Sequence, residues 1–227
     1  MPFQLDNVVP WGRTFDEYQA MFALTPSDLR GRILGCADGP AAFNATASGA
    51  GARVVSADPL YQFTAAQILE RVEATASTVA EQTRQNAQEF VWTTIPSVEA
   101  LLDLRLTAMR TFLADLESGR AGGRYVCASL PDLPFARDSF DVALCSHFLF
   151  LYSAQHDQAF HVRAIAELGR VAREVRVFPL LELGSRPSRH LDGVIGALQD
   201  RGMNVARVTV PYEFQRGGNE MLRIVKE

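Results

Sequence analysis

Cys145, Ser146 and His147 follow one another where an apolar run, Val142-Ala143-Leu144, ends. A thiol, a hydroxyl and an imidazole gathered at one strand end can bind a ligand and handle protons. Histidine titrates near neutral pH and suits removal of a proton from an O–H or N–H nucleophile. His147 is therefore a candidate general base, with a hydrogen-bonded structural histidine as the other reading. Two carboxylates complete the set. Asp38 sits in the small-residue stretch Gly35-Cys36-Ala37-Asp38-Gly39-Pro40-Ala41. Asp58 follows about twenty residues later, the spacing at which an acid reaches ribose hydroxyls in nucleotide folds. Its other reading is a cap on the turn that begins at Pro59. No metal site is expected. His156 and His161 are five apart and share no helix face, and no cysteine has ligand spacing.

These residues need elements to position them. Arg32–Cys36 reads as a strand that flows through the small-residue turn into an Ala-rich helix, 41–50. Small residues let the backbone approach a ligand closely, and the helix start offers free N–H groups. Arg53–Ala57 is a second strand, ending at Asp58. A tight Leu133-Pro134-Phe135 turn and the polar Arg137-Asp138-Ser139 break lead into a strand over 140–146, apolar enough to be buried on both faces. Further strands are predicted at 124–128 and 174–182, and helices at 64–90, 97–118, 156–172 and 187–201. Strands alternating with helices argue for a parallel sheet, whose ligands bind outside the carboxyl ends of the strands. The tail, 204–215 and 220–225 around Gly217-Gly218, reads as an antiparallel hairpin.

The chain has 227 residues, 48% hydrophobic and 21% charged, with a formal net charge of −4. That composition suits one ordinary globular domain, 1–227. The charge and the lack of a long basic stripe argue against nucleic acid. No apolar run approaches the roughly 20 residues of a membrane helix. Met1–Asp6 lacks the pattern of a signal peptide. Three cysteines without a CxxC, at 36, 127 and 145, read as reduced, buried thiols of a cytoplasmic protein.

The motifs together resemble the class I S-adenosylmethionine (SAM)-dependent methyltransferases. The family's glycine-rich loop corresponds to Gly35, Ala37, Gly39 and Ala41, its acid after the second strand to Asp58, and its Ser-Phe-Asp entry to the fourth strand to Ser139-Phe140-Asp141. The family's Asp-x-x-x-Leu-Pro-Phe appears as Ser129 to Phe135, with Ser for Asp. The loop sequence, Ser146–Tyr152 and Tyr212–Gln215 further resemble an uncharacterised bacterial branch. The resemblance implies a Rossmann-like, doubly wound, mostly parallel seven-stranded sheet closed by the C-terminal hairpin. It implies SAM as cofactor. Gly35, Ala37, Gly39 and Asp38 would lie at its amino-acid end, Asp58 at its ribose, and Ser129 and Leu130 beside its adenine. Cys145 and Ser146 would line its pocket. Asp38 could hold its ammonium group or be an exposed turn carboxylate. Trp11, Arg13 and Tyr18 could form a lid, with Arg13 on its carboxylate, or simply pack on the sheet.

Residues 60–121 exceed what one crossover helix needs. Two helical patterns flank Ile95-Pro96-Ser97 as an insertion after the second strand, with Ser97 as the second helix's cap. Leu102, Leu106, Met109, Leu113 and Leu116 follow a nearly 3.5-residue period, suited to helix-on-helix packing. The pair is expected to stand as a cap over the acceptor pocket or as a homodimer surface, against the plainer reading of two crossover helices lying on the sheet. The function expected is methyl transfer from SAM to an O, N or C nucleophile of a small molecule. The first rival is a catalytically degenerate SAM-binding or regulatory protein. The second, a dinucleotide oxidoreductase, suffers because the loop is not Gly-x-Gly-x-x-Gly. The methyl acceptor itself lies in loops grafted on the fold.

Overall fold

The computed structural model describes residues 11–226, so the reading of Met1–Asp6 lies outside the described residues. Helix α1 (Phe15–Met21) and the short α2 (Pro26–Arg30) lead into β1 (Arg32–Cys36). Then come α3 (Phe43–Gly49), β2 (Arg53–Ala57), α4 (Ala65–Gln85), α5 (Val98–Ala121), β3 (Tyr125–Val126) and β4 (Phe140–Ser146). Helix α6 (Gln158–Val171) and β5 (Ala172–Phe178) precede the small hairpin β6 (Leu181–Glu182) and β7 (Arg186–Pro187). The chain closes with α7 (Leu191–Gln199), β8 (Met203–Thr209) and β9 (Glu220–Lys226).

Seven strands form one sheet in the order β3-β2-β1-β4-β5-β9-β8. The pairs from β3 to β5 are parallel; β9 lies antiparallel to both β5 and β8. This is the sheet that the class I methyltransferase resemblance implies. Alternate side chains of each strand face opposite layers. Leu34, Ala143 and Val175 join the cluster under α6 and α7, while Ile33, Val142 and Leu144 join the cluster under α1 and α3. Burial on both faces explains why β1 and β4 read as unbroken apolar runs. β1 lies between β2 and β4, so successive connections depart to opposite sides and open a crevice at its carboxyl end.

Three expectations are corrected. The strand read over 174–182 stops at Phe178, because Pro179 has no N–H to continue the ladder. The C-terminal strands do not meet in a tight Gly-Gly turn. Val210 to Asn219 form an excursion in which Val91 donates its N–H to the Phe214 carbonyl at 2.8 Å. The leucine stripe of α5 is rotated by one position. Its buried face runs Leu101, Arg105, Ala108, Met109, Phe112 and Leu116, while Leu102, Leu106 and Leu113 are half-buried. A charged residue, Arg105, occupies the core face and hides the true period.

The insertion is divided between the two readings. Ser97 caps α5 as expected, accepting from the Ala100 N–H at 3.1 Å. α5 packs against α3 and β3 as a crossover helix does. α4 packs mainly on α5. Ile68 and Val72 of α4 cover Met109, Phe112 and Leu116, with Leu106 and Leu113 packed alongside.

Candidate active site

The described residues enclose a cavity of about 400 Å³ at the carboxyl edge of the sheet. Its inner wall is the turn after β1. Ala37 donates its N–H to the Ala57 carbonyl at 2.9 Å, tying the turn to β2. Ala37 and Gly39 have φ of +57° and +54°. Glycine adopts this left-handed backbone freely, alanine at a cost. Gly35 is required for another reason: a Cβ there would stand 1.8 Å from Asp38 Oδ2. Gly35 itself stays behind the wall.

Asp58 closes the turn. Its Oδ2 accepts the Gly39 N–H at 2.9 Å and its Oδ1 accepts the Leu60 N–H at 2.7 Å. The capping reading of Asp58 holds: it caps the turn that begins at Pro59, and it also lines the cavity. Burial raises its pKa, against the pull of the two amides. Asp38 is not an exposed turn carboxylate. It is 7% exposed and accepts from Tyr18 Oη at 2.8 Å and Ser56 Oγ at 2.7 Å. Burial pushes its pKa up to about 7, opposed by those two hydroxyls and aided by Asp58. Tyr18 is thus wall, not lid.

Arg13 and Trp11 reach the same cavity. Arg13 donates from Nη1 to the Trp11 carbonyl at 2.7 Å, and its buried Nε has no partner. Its carboxylate neighbour is already taken. Arg105, from α5, grips Glu17 through Nη1–Oε2 at 2.5 Å and Nη2–Oε1 at 2.6 Å, and Tyr212 donates to Oε1 at 2.8 Å. Burial would raise the pKa of Glu17, but Arg105 prevails and holds it at about 2. Burial, and then Arg105, lower the pKa of Arg13. Arg13 is a half-buried cation in the cavity wall with no acid hydrogen-bonded to it.

His147 and Ser146 stand at the end of β4 in the cavity wall. His147 has φ +51°, anchored by its N–H to the Phe178 carbonyl at 2.7 Å. Its Nδ1 lies 2.9 Å from Ser146 Oγ. Burial, then Arg13 and Arg105, hold its pKa well below the ordinary histidine value, so the ring is neutral. Ser129 and Leu130 also line the cavity. Cys145 does not. It pairs in register with Cys36 but is fully buried, and burial pushes its thiol up to about 12. Its neighbour Cys36, the last residue of β1 in the same layer, does line the cavity, whereas Cys145 lies one residue short of the end of β4. Cys127, expected buried, is exposed just beyond the short β3.

Sequence reasoning missed the outer wall. Phe63, Val79 and Thr83 of the insertion, Glu89 and Phe90, Leu183 and Phe214 all line it. They lie on helix α4 and on loops remote from one another in sequence, and no local spacing connects them. The quoted Tyr212–Gln215 segment was the one available signal. So α4 does contribute a cavity wall, while α5 reaches it through Leu101. Among the described residues no group of three His, Cys, Asp or Glu could hold a metal ion, and no helix is long and apolar enough to cross a membrane.

A family model described as a methyltransferase domain matches residues 97–174. The chain is 31% identical over 222 residues to the uncharacterized protein MJ0045 of the archaeon Methanocaldococcus jannaschii, covering 97% of each chain. Among solved structures, magnesium protoporphyrin IX methyltransferase of Synechocystis PCC 6803 with bound SAM aligns at a TM-score of 0.48 and 15% identity. The alignment covers 94% of this chain and 78% of that one. The PH0226 protein of Pyrococcus horikoshii aligns at 0.47 and 10%, covering 87% and 82%.

Proposed function

We propose that this chain, which belongs to the same family as the Methanocaldococcus jannaschii protein and carries a methyltransferase domain, transfers a methyl group from SAM to a small-molecule nucleophile. One observation carries the reading. Asp58 closes the turn after β1 at the sheet's switch point, in a cavity where Arg13 lacks an acidic partner. The residues fit the cofactor's charges. Arg13 would take its carboxylate, Asp38 would lie near its ammonium group, and Asp58 would accept from its ribose through the lone pairs left beside Gly39 and Leu60. Ser129 and Leu130 would flank the adenine. When bound, SAM supplies an electrophilic methyl group.

The chain's own part is mainly position and exclusion of water. His147 would accept the acceptor's proton at Nε2, with Nδ1 held by Ser146. Nothing in the described site favours a degenerate, binding-only protein: Ala37 and Gly39 both take the left-handed backbone of the turn. A homodimer through the insertion would use Phe63 and Leu69, the exposed large hydrophobics among the described residues, rather than the leucines of α5. Three free thiols agree with a cytoplasmic setting. The loop resembles a bacterial branch, and the relative above is archaeal. Calorimetric titration with SAM, NAD and NADP tests the assignment. Saturable binding of SAM alone supports it; binding of a nicotinamide cofactor, or of none of the three, refutes it.

A further inference from the structure

The outer half of the cavity has a chemistry of its own. Val79 and Leu101 come from the insertion, Phe148 and Leu151 from the loop after β4, Leu183 from the small hairpin and Phe214 from the β8–β9 excursion. Four separate connections thus converge on one apolar slot. Its far wall is built, not loose. Phe90 and Phe214 stack at 5.0 Å and 23°, Trp92 meets Phe214 edge-on at 5.4 Å, and a β-bridge joins Phe90 to Gln215. Phe63, 38% exposed, stands at the mouth. Arg71, at the edge, is exposed to solvent, and Glu89 is half-buried there, where burial raises its pKa. A slot of this kind accepts a flat apolar ring by stacking and disfavours a charged body, which would lose its hydration without a partner.

At the inner end of the slot stands His147. Its depressed basicity suits a proton that leaves readily. A phenol, near pKa 10 as in tyrosine, is far easier to deprotonate than an alkyl alcohol near the roughly 15.7 of water. Building on the methyl-transfer reading, we propose that the acceptor is a flat, apolar phenolic molecule held between Phe148 and the Phe90–Phe214 wall, methylated on its ring hydroxyl. In the step the phenolic oxygen bonds to the methyl carbon, the carbon–sulfur bond breaks with its electron pair passing to sulfur, and the phenolic proton moves to Nε2 of His147. The products are an aryl methyl ether and S-adenosylhomocysteine.

The test uses 2-naphthol as probe, titrated by calorimetry with and without S-adenosylhomocysteine. The expected result is saturable binding of one 2-naphthol per chain. Phe148→Ser and Phe63→Ser should each weaken it at least tenfold while leaving S-adenosylhomocysteine affinity unchanged. Phe63 is partly exposed, so its variant keeps the fold. Labelled methyl from SAM should appear on 2-naphthol and not on 2-naphthalenemethanol, an alkyl alcohol of similar shape. No saturable naphthol binding, unchanged binding in both variants, or equal labelling of the alcohol overturns the proposal. Failure of S-adenosylhomocysteine to bind would instead defeat the methyl-transfer reading, and the naphthol titration alone would still decide the slot.

Discussion

Arg105 and Glu17 meet through two hydrogen bonds of 2.5 and 2.6 Å, 88 residues apart in sequence and almost wholly out of water. The pair ties the insertion to α1. It also occupies the acid that would otherwise claim Arg13. Arg105→Met strands a buried carboxylate and should cost about 3–5 kcal/mol of stability in urea unfolding. Adding Glu17→Gln should recover part of that loss, since partners in one network are not additive. The folded pKa of Glu17, about 2, is depressed below its ordinary value of 4.5. Its contribution is therefore complete above about pH 4.5 and is lost as pH falls toward 2. An equal pH dependence in parent and Glu17→Gln would show that the pair carries none of it.

Ala37 occupies the left-handed region at φ +57°. Ala37→Gly should raise the melting temperature or leave it level, because relief of about 1 kcal/mol of strain offsets the added freedom of the unfolded chain. A drop of several degrees would mean that the Ala37 methyl packs more usefully than its backbone suffers.

Asp38 has a folded pKa of about 7, above its ordinary 3.8. The folded protein therefore binds more protons than the unfolded chain between those values, and the unliganded protein should lose stability as pH rises through that window. Binding of a ligand's ammonium group favours the ionised carboxylate. S-adenosylhomocysteine affinity should thus increase up to roughly tenfold from about pH 6 to about pH 8, and Asp38→Asn should flatten the profile. A profile unchanged in Asp38→Asn assigns the titration elsewhere.

Much of this was legible in the chain. β1 and β4, buried on both faces, announce themselves as apolar runs, and the polar residues that end them mark the crevice. The turn and Asp58 are local features with fixed spacing. What was not legible depends on distant partners. Arg105 reads as a surface charge until Glu17 is placed against it. Asp38 reads as a turn residue until Tyr18 and Ser56 enclose it. The Phe90–Phe214 wall joins two loops, and no periodicity encodes such a pairing.

His147→Asn keeps a polar side chain near Ser146 but removes the base. Turnover should fall at least about a hundredfold while S-adenosylhomocysteine affinity stays near that of the parent. Because φ is +51° at this position, asparagine is the apt replacement; it tolerates the left-handed region. Turnover close to the parent's would make His147 a structural residue.

The central claim is that the cavity holds SAM with Asp58 on its ribose, and calorimetry of S-adenosylhomocysteine against the parent and Asp58→Ala tests it most directly. Loss of charge-assisted hydrogen bonds costs about 1.5–3 kcal/mol, so the variant should bind roughly ten- to hundredfold more weakly, and, losing the cap on Gly39 and Leu60, should unfold at a somewhat lower temperature. Equal affinity in parent and variant, or no binding by the parent, would contradict the account.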